Sequence, residues 1–168
     1  DRSALYPLLS VIGEDFNLTN TMLGSITSSY FLVYVTMQIP SGILADRLGK
    51  KRLLVITFFV AGLALLGFGL FAKSYISLLL FTALHGFGAG SFYPSAYGIM
   101  LDTVDSNHWG IGAAIISLGM SFGLVLGLAV SSPIYLHFNS YSGIFIALAL
   151  LTMLAALAFN RMLPDVSN

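Results

Sequence analysis

Five of the fourteen charged residues fall within seven positions: Asp46, Arg47, Lys50, Lys51 and Arg52, with Gly42 upstream and Gly49 among them. An acid four residues after one glycine and three before another has room to approach a neighbouring helix. Its carboxylate can meet the positive N-terminal end of that helix or a basic side chain. That chemistry is electrostatic latching rather than bond making. Other reactive groups are few. The chain has no Cys, which removes disulfides, thiolate metal sites and cysteine nucleophiles, and no metal site is expected. Ser91 and His85 suggest a serine hydrolase. They lie six residues apart on one helix, about 9 Å along its axis and on different faces, so neither can activate the other. No catalytic residue is assigned and an enzyme is not expected.

The remaining polar groups gain meaning only from the segments that carry them. Of 168 residues, 57% are hydrophobic and 8% charged, and the mean hydropathy is +0.91. A soluble fold of this size would lack polar surface, because such domains carry about 25% charged residues. The apolar residues form blocks near the roughly 20 residues that cross about 30 Å of hydrocarbon as a helix. These blocks predict helices over about 1–13, 21–44, 53–72, 75–101, 109–136 and 141–159. The first is too short to span as it stands, and the expectation is that it begins partway through a helix. The reading is an all-α, multi-pass membrane protein of six transmembrane helices. Zero formal net charge gives no basis for a nucleic-acid partner.

Basic residues in short loops mark the cytoplasmic side. Four of seven crowd the 45–52 loop, which is therefore read as cytoplasmic, and Lys73 falls on the opposite side. Glycines recur three or four apart, or nearly so, at Gly62/Gly67/Gly69, Gly86/Gly88/Gly90 and Gly119/Gly123/Gly127, a spacing that suits close helix packing. Asn17-Leu18-Thr19 fits a glycosylation acceptor, but capping of the next helix by Thr19 or Asn20 is the better reading.

Ionisable and hydroxylic side chains inside such helices face a cavity or a partner, since each charge costs about 2.5 to 3.5 kcal/mol in the membrane. Arg2 lies about 18 Å from the outer end of its helix and is the candidate anchor for an anionic substrate. Neutralisation by a carboxylate elsewhere is its alternative. His85 lies about ten residues into its helix, either as a proton-coupling site or as a neutral histidine hydrogen-bonded between helices. Tyr30, Tyr34 and Gln38 form a polar stripe at four-residue spacing, and Tyr93 and Tyr97 form another. Arg2, Tyr30, Tyr34, Gln38, His85 and Tyr93 make up the candidate substrate site.

The stretch Gly42-Ile-Leu-Ala-Asp46-Arg47-Leu-Gly49-Lys50-Lys51-Arg52 resembles the loop signature of the major facilitator superfamily: a Gly, three residues, Asp-Arg, one residue, Gly and a basic run. Segment order, loop lengths and sidedness are similar to the N-terminal half of that family over nearly the whole chain. The resemblance implies two inverted three-helix repeats and a partner, either a C-terminal six-helix half or a second copy of this one. It also implies that Asp46 bridges to that partner and holds a cytoplasmic gate shut, while Lys50 pairs with an acid at the end of the fourth helix, here Asp102. The gating set is therefore Gly42, Asp46, Arg47, Gly49, Lys50, Lys51, Arg52 and Asp102.

Two secondary signatures depart from the family pattern. The fourth helix reads Thr82-Ala83-Leu84-His85-Gly86 with no arginine, and Leu124 stands where the family's proton-driven antiporters have proline. The opening Asp1-Arg2-Ser3 resembles the first helix of the family's organic-anion symporters. The implied function is secondary active transport of a small solute by alternating access, with an organic-anion symporter first. A multidrug, sugar or lipid exporter is the alternative within the fold, and a channel or an intramembrane protease lies outside it. No cofactor is expected; a proton or sodium gradient is the expected drive. The expected setting is the lipid bilayer of the cell (inner) membrane.

Overall fold

The computed structural model describes residues 11–138 and 140–164, and all regular structure among them is helical. Helix α1 is represented by residues 11–15. It is followed by α2 (Asn20–Leu48), α3 (Lys50–Phe71), α4 (Tyr75–Ala89), α5 (Phe92–Thr103), α6 (Trp109–Phe138) and α7 (Tyr141–Met162). A short 3₁₀ turn, Ser106–His108, precedes α6.

The helix ends follow local chemistry. The Thr19 hydroxyl accepts from the Met22 amide at 3.3 Å, so Thr19 is the cap of α2. Gly49 alone joins α2 to α3, at φ 87°, and donates its amide to the Ala45 carbonyl at 3.0 Å. A side chain there would be strained, which accounts for this glycine. Ser74 and Ser77 form a reciprocal capping box at the start of α4.

Among the described residues four stretches are long and apolar enough to cross a membrane: Lys50–Phe71, Tyr75–Thr103, Ser106–Ala129 and Tyr141–Met162. Helix α2 is not among them. At 29 residues it is long enough, about 43 Å, but hydroxyls and amides such as Ser25, Ser28, Ser29, Thr36 and Gln38 make it too polar. The block over 75–101, expected as one helix, is divided at Gly90–Ser91 into α4 and α5. Pro94 has no amide to offer the Gly90 carbonyl, and its ring crowds that turn. Pro40 and Pro133, by contrast, lie inside continuous helices.

Helix α3 is the centre of the described bundle, packed against α7 on one side and α4 on the other, while α2 packs on α4. Glycines make these contacts close. A Cβ on Gly88 would lie 2.5 Å from the Thr57 carbonyl oxygen, on Gly86 2.6 Å from that of Tyr30, and on Gly62 2.7 Å from Met153. The packing expected of the first two glycine clusters is thus present. For the third, no described residue lies within 4 Å of a Cβ at Gly119 or Gly123. Among the described residues helix α6 packs mainly on α5, α7 and the 3₁₀ turn before it, and those two glycines lie against none of them. An apolar core of Ile12, Ile26, Leu65, Phe68, Leu78 and Phe145 fills the end of the bundle remote from Gly49. Phe68 and Phe145 centre its rings 4.3 Å apart.

Candidate functional site

Two polar regions emerge, one at the Gly49 end of the bundle and one between α2 and α4. At the Gly49 end, Lys50 forms an ion pair with Asp102, the last turn of α5 meeting the first of α3. The lysine stem lies across Gly98, where a Cβ would come within 2.9 Å of Lys50 Cδ. Gly98 and Asp102 are four residues apart and so share a face of α5: the glycine leaves the groove and the aspartate closes it. The role of Gly98 was legible only in that spacing and was missed by sequence reasoning. Asp46, Arg47 and Arg52 are exposed, and Lys51 is half-buried. Among the described residues nothing lies within 4 Å of a Cβ placed on Gly42, so it serves no close approach to them. Of the two motif glycines, Gly49 is the one whose positive φ gives it a conformational reason among the described residues.

Between α2 and α4 the structure brings together three of the expected site residues. The Tyr30 ring stacks on Tyr34 at 5.7 Å and on His85 at 5.4 Å between centroids. Both Tyr30 and His85 are buried, at 6% and 5% exposure, by the packing of the chain itself. His85 Nδ1 lies 3.3 Å from the Ala61 carbonyl oxygen and donates to it in the Nδ1-protonated tautomer. His85 therefore bridges α4 to α3. Tyr34, Gln38 and Tyr93 are half-buried; Tyr93 packs against Phe92 and Tyr97 rather than against the Tyr30 stack. Tyr97 reaches α6 through Ser117 at 3.4 Å. Arg2 lies outside the described residues.

A third feature was not anticipated. The hydroxyls of Ser41 on α2 and Ser91 at the α4–α5 break are 2.9 Å apart and fully buried. Ser95, one turn further along α5, is also fully buried, and its Oγ has no partner among the described residues. Their signal in the sequence is weak: each serine is adjacent to a proline or follows a glycine. Ser91 hydrogen-bonds with Ser41, and His85 with the Ala61 carbonyl. Among the described residues no group of three or more His, Cys, Asp or Glu could hold a metal ion.

The family model of the Major Facilitator Superfamily matches residues 1–167. A putative metabolite transport protein of Haemophilus influenzae is 28% identical over 83% of the chain and 34% of its own length. The hexuronate transporter of Bacillus subtilis is 31% identical over 80% of the chain and 31% of its own length. A probable sulfoacetate transporter of Cupriavidus necator is 32% identical over 57% of the chain and 22% of its own length. The chain thus spans about a third or less of these relatives. With a match over nearly every residue and four helices apolar enough to span a bilayer, this integral membrane chain belongs to the Major Facilitator Superfamily.

Proposed function

We propose that the chain is the N-terminal six-helix half, with two inverted three-helix repeats, of a secondary transporter that moves a small organic anion by alternating access. The observation that carries the substrate class is that two matched relatives are named for organic acids, hexuronate and sulfoacetate. Arg2 is the principal anion contact in this reading. Tyr34, Gln38 and Tyr93 supply hydroxyl and amide groups to the cavity wall, and the Tyr30–His85 stack sets the spacing of α2 and α4 behind it. The half-buried state of the first three and the burial of the last two support that division. A second six-helix half, from the same protein or as a second copy, closes the cavity. The bilayer is that of the cell (inner) membrane, with the 45–52 loop cytoplasmic and a proton or sodium gradient as the drive.

At the Gly49 end, Asp46 docks on a helix N-terminus of the second half when the cavity faces outward, and the Lys50–Asp102 pair holds α3 against α5. Gly42, with open space around it, then provides the close approach between halves. Support comes from the exposure of Asp46 and from the Lys50 stem laid over Gly98. The test is uptake by the intact protein in liposomes under an imposed proton or sodium gradient. Radiolabelled hexuronate and a small sulfonate would be compared with a neutral sugar. Gradient-driven uptake of an anion is expected; uptake of the neutral sugar alone would reject the anion assignment, and downhill flux indifferent to both gradients would reject symport.

A further inference from the structure

The exposed surface of the α3–α7 pair carries a pattern of which the transport reading uses Arg52 alone, as one of the gating set. On α3, Arg52, Ile56 and Leu63 are exposed and fall within about 40° of one another at 100° per residue. On α7, Leu154, Leu157 and Arg161 are exposed and fall within about 60°. Each stripe is apolar along its length and ends in an arginine.

The packing fixes how the two stripes relate. Phe58 meets Phe159 with ring centroids 5.2 Å apart, and Gly62 abuts Met153, so α3 and α7 run antiparallel. Extending that register sets Arg161 opposite residues 54–56 of α3, within about one turn of Arg52. Both stripes lie about 100° round from the residues that touch the other helix, in the same rotational sense. Because the helices are antiparallel, that sense brings both stripes out on one side of the pair. The two arginines therefore sit at the same end of one apolar face, on axes about 8–10 Å apart. Among the described residues neither has a carboxylate partner, and Asp102 is taken by Lys50.

We propose that this face holds an anionic phospholipid, its phosphate between Arg52 and Arg161 and its acyl chains along Ile56, Leu63, Leu154 and Leu157. Charge complementarity selects this occupant. A guanidinium presents a planar fork that matches phosphate oxygens, two such forks at one end of neighbouring helices can share one headgroup, and the apolar stripes below match acyl chains rather than a soluble anion. The proposal rests only on the chain's being a membrane protein, and it stands or falls separately from the choice of transported solute.

Native mass spectrometry of the intact, delipidated protein tests it, titrating phosphatidylglycerol against phosphatidylcholine of the same acyl chains. Wild type should prefer the anionic lipid, Arg52→Gln and Arg161→Gln should each lower that preference about five-fold, and the double variant about 25-fold. Arg47→Gln, on the end of α2, should leave it unchanged. Unaltered melting in phosphatidylcholine would show that the variants fold, so that loss of preference reads binding. Preference retained in the double variant overturns the proposal, and so does equal loss in Arg47→Gln, which would reduce the effect to general surface potential. Competition by millimolar inorganic phosphate would mean an anion pocket without lipid, and self-association that tracks Arg52 and Arg161 would mean a protein contact. Either outcome would also overturn it.

Discussion

Adding one methyl group at Gly88 should separate α3 from α4, whereas the same change at Gly123 should cost the chain nothing. A Cβ on Gly88 would stand 2.5 Å from the Thr57 carbonyl oxygen, 2.6 Å from the Ala61 amide nitrogen and 2.8 Å from Ala61 Cβ. Two of these are backbone atoms of α3, which no rotamer change can move. Ordinary contact needs about 3.4 Å or more, so the helices must part by roughly 0.9 Å, and overpacking of this kind costs about 1–3 kcal/mol. Alanine returns about 0.8–1 kcal/mol of helix propensity, which leaves a net loss of up to about 2 kcal/mol. The His85 bond to Ala61 crosses the same seam and would lengthen with it. At Gly123 no described residue lies within 4 Å, so the propensity gain is what remains. Melting of the purified protein in detergent, followed by the fluorescence of its single Trp109, would compare Gly88→Ala and Gly123→Ala. Equal midpoints, or a lower one for Gly123→Ala, would refute the close approach of α3 and α4.

Other perturbations separate structural from functional roles. A double-mutant cycle on Lys50→Gln and Asp102→Asn should give a coupling of about 0.2–1 kcal/mol in detergent melting, because both groups are partly exposed and solvent weakens the pair; zero coupling would remove it from the account of the gate. Ser91→Ala should lower stability by about 1–2 kcal/mol by stranding the Ser41 hydroxyl, while Ser95→Ala should be neutral or stabilising because its Oγ has no partner among the described residues; the reverse order in detergent melting would contradict the assigned bonding. Arg2→Ala should abolish anion uptake in liposomes without shifting the melting midpoint, and undiminished uptake would reject Arg2 as the anion contact. Asp46→Asn should shift the population toward the inward-open state, since a helix-end charge contact is worth about 0.3 to 2 kcal/mol; an unchanged distance distribution between labels on the cytoplasmic face would leave Asp46 a role in loop structure alone.

The sequence announces the helices because long apolar blocks and capping residues are local signals. Thr19, Gly49 and Ser74 each act within four residues of their own position. The pairing of Lys50 with Asp102 was legible for a different reason, a family motif that carries long-range information. What stayed hidden depends on how helices face each other. Gly86, Gly88 and Gly119 look alike along the chain, yet two lie against neighbouring backbone and the third meets no described residue. Likewise Tyr30 and Tyr34 share one stripe, but one is buried and the other half-buried, a difference set by His85 approaching from α4. The break at Gly90–Ser91 could have been read from Pro94 four residues on, but Pro40 and Pro133 in continuous helices show why such a reading is weak.

The distribution of close and open contacts says which surfaces are finished. Helices α3 and α7 meet along their length, through Gly62 against Met153 and Gly69 against the Ser142 carbonyl, and α4 is held to both α2 and α3 by glycines. Helix α6 is different: Ile111, Ile115, Leu118, Phe122 and Val125 are all at least 60% exposed, and Gly119 and Gly123 have no described residue against them. Lipid alone would satisfy the large apolar residues, but it gives no reason for two glycines four apart, which lower helix propensity and gain only where another backbone comes close. Gly42 on α2 presents the same open notch. On the proposed two-half arrangement, α2 and α6 are the helices that the second half covers, while the α3–α7 face with its terminal arginines is left to the bilayer. Cross-links from cysteines placed at Gly42 and Gly123 should then form to the second half, and cysteines at Leu63 and Leu154 should react with lipid-soluble probes instead.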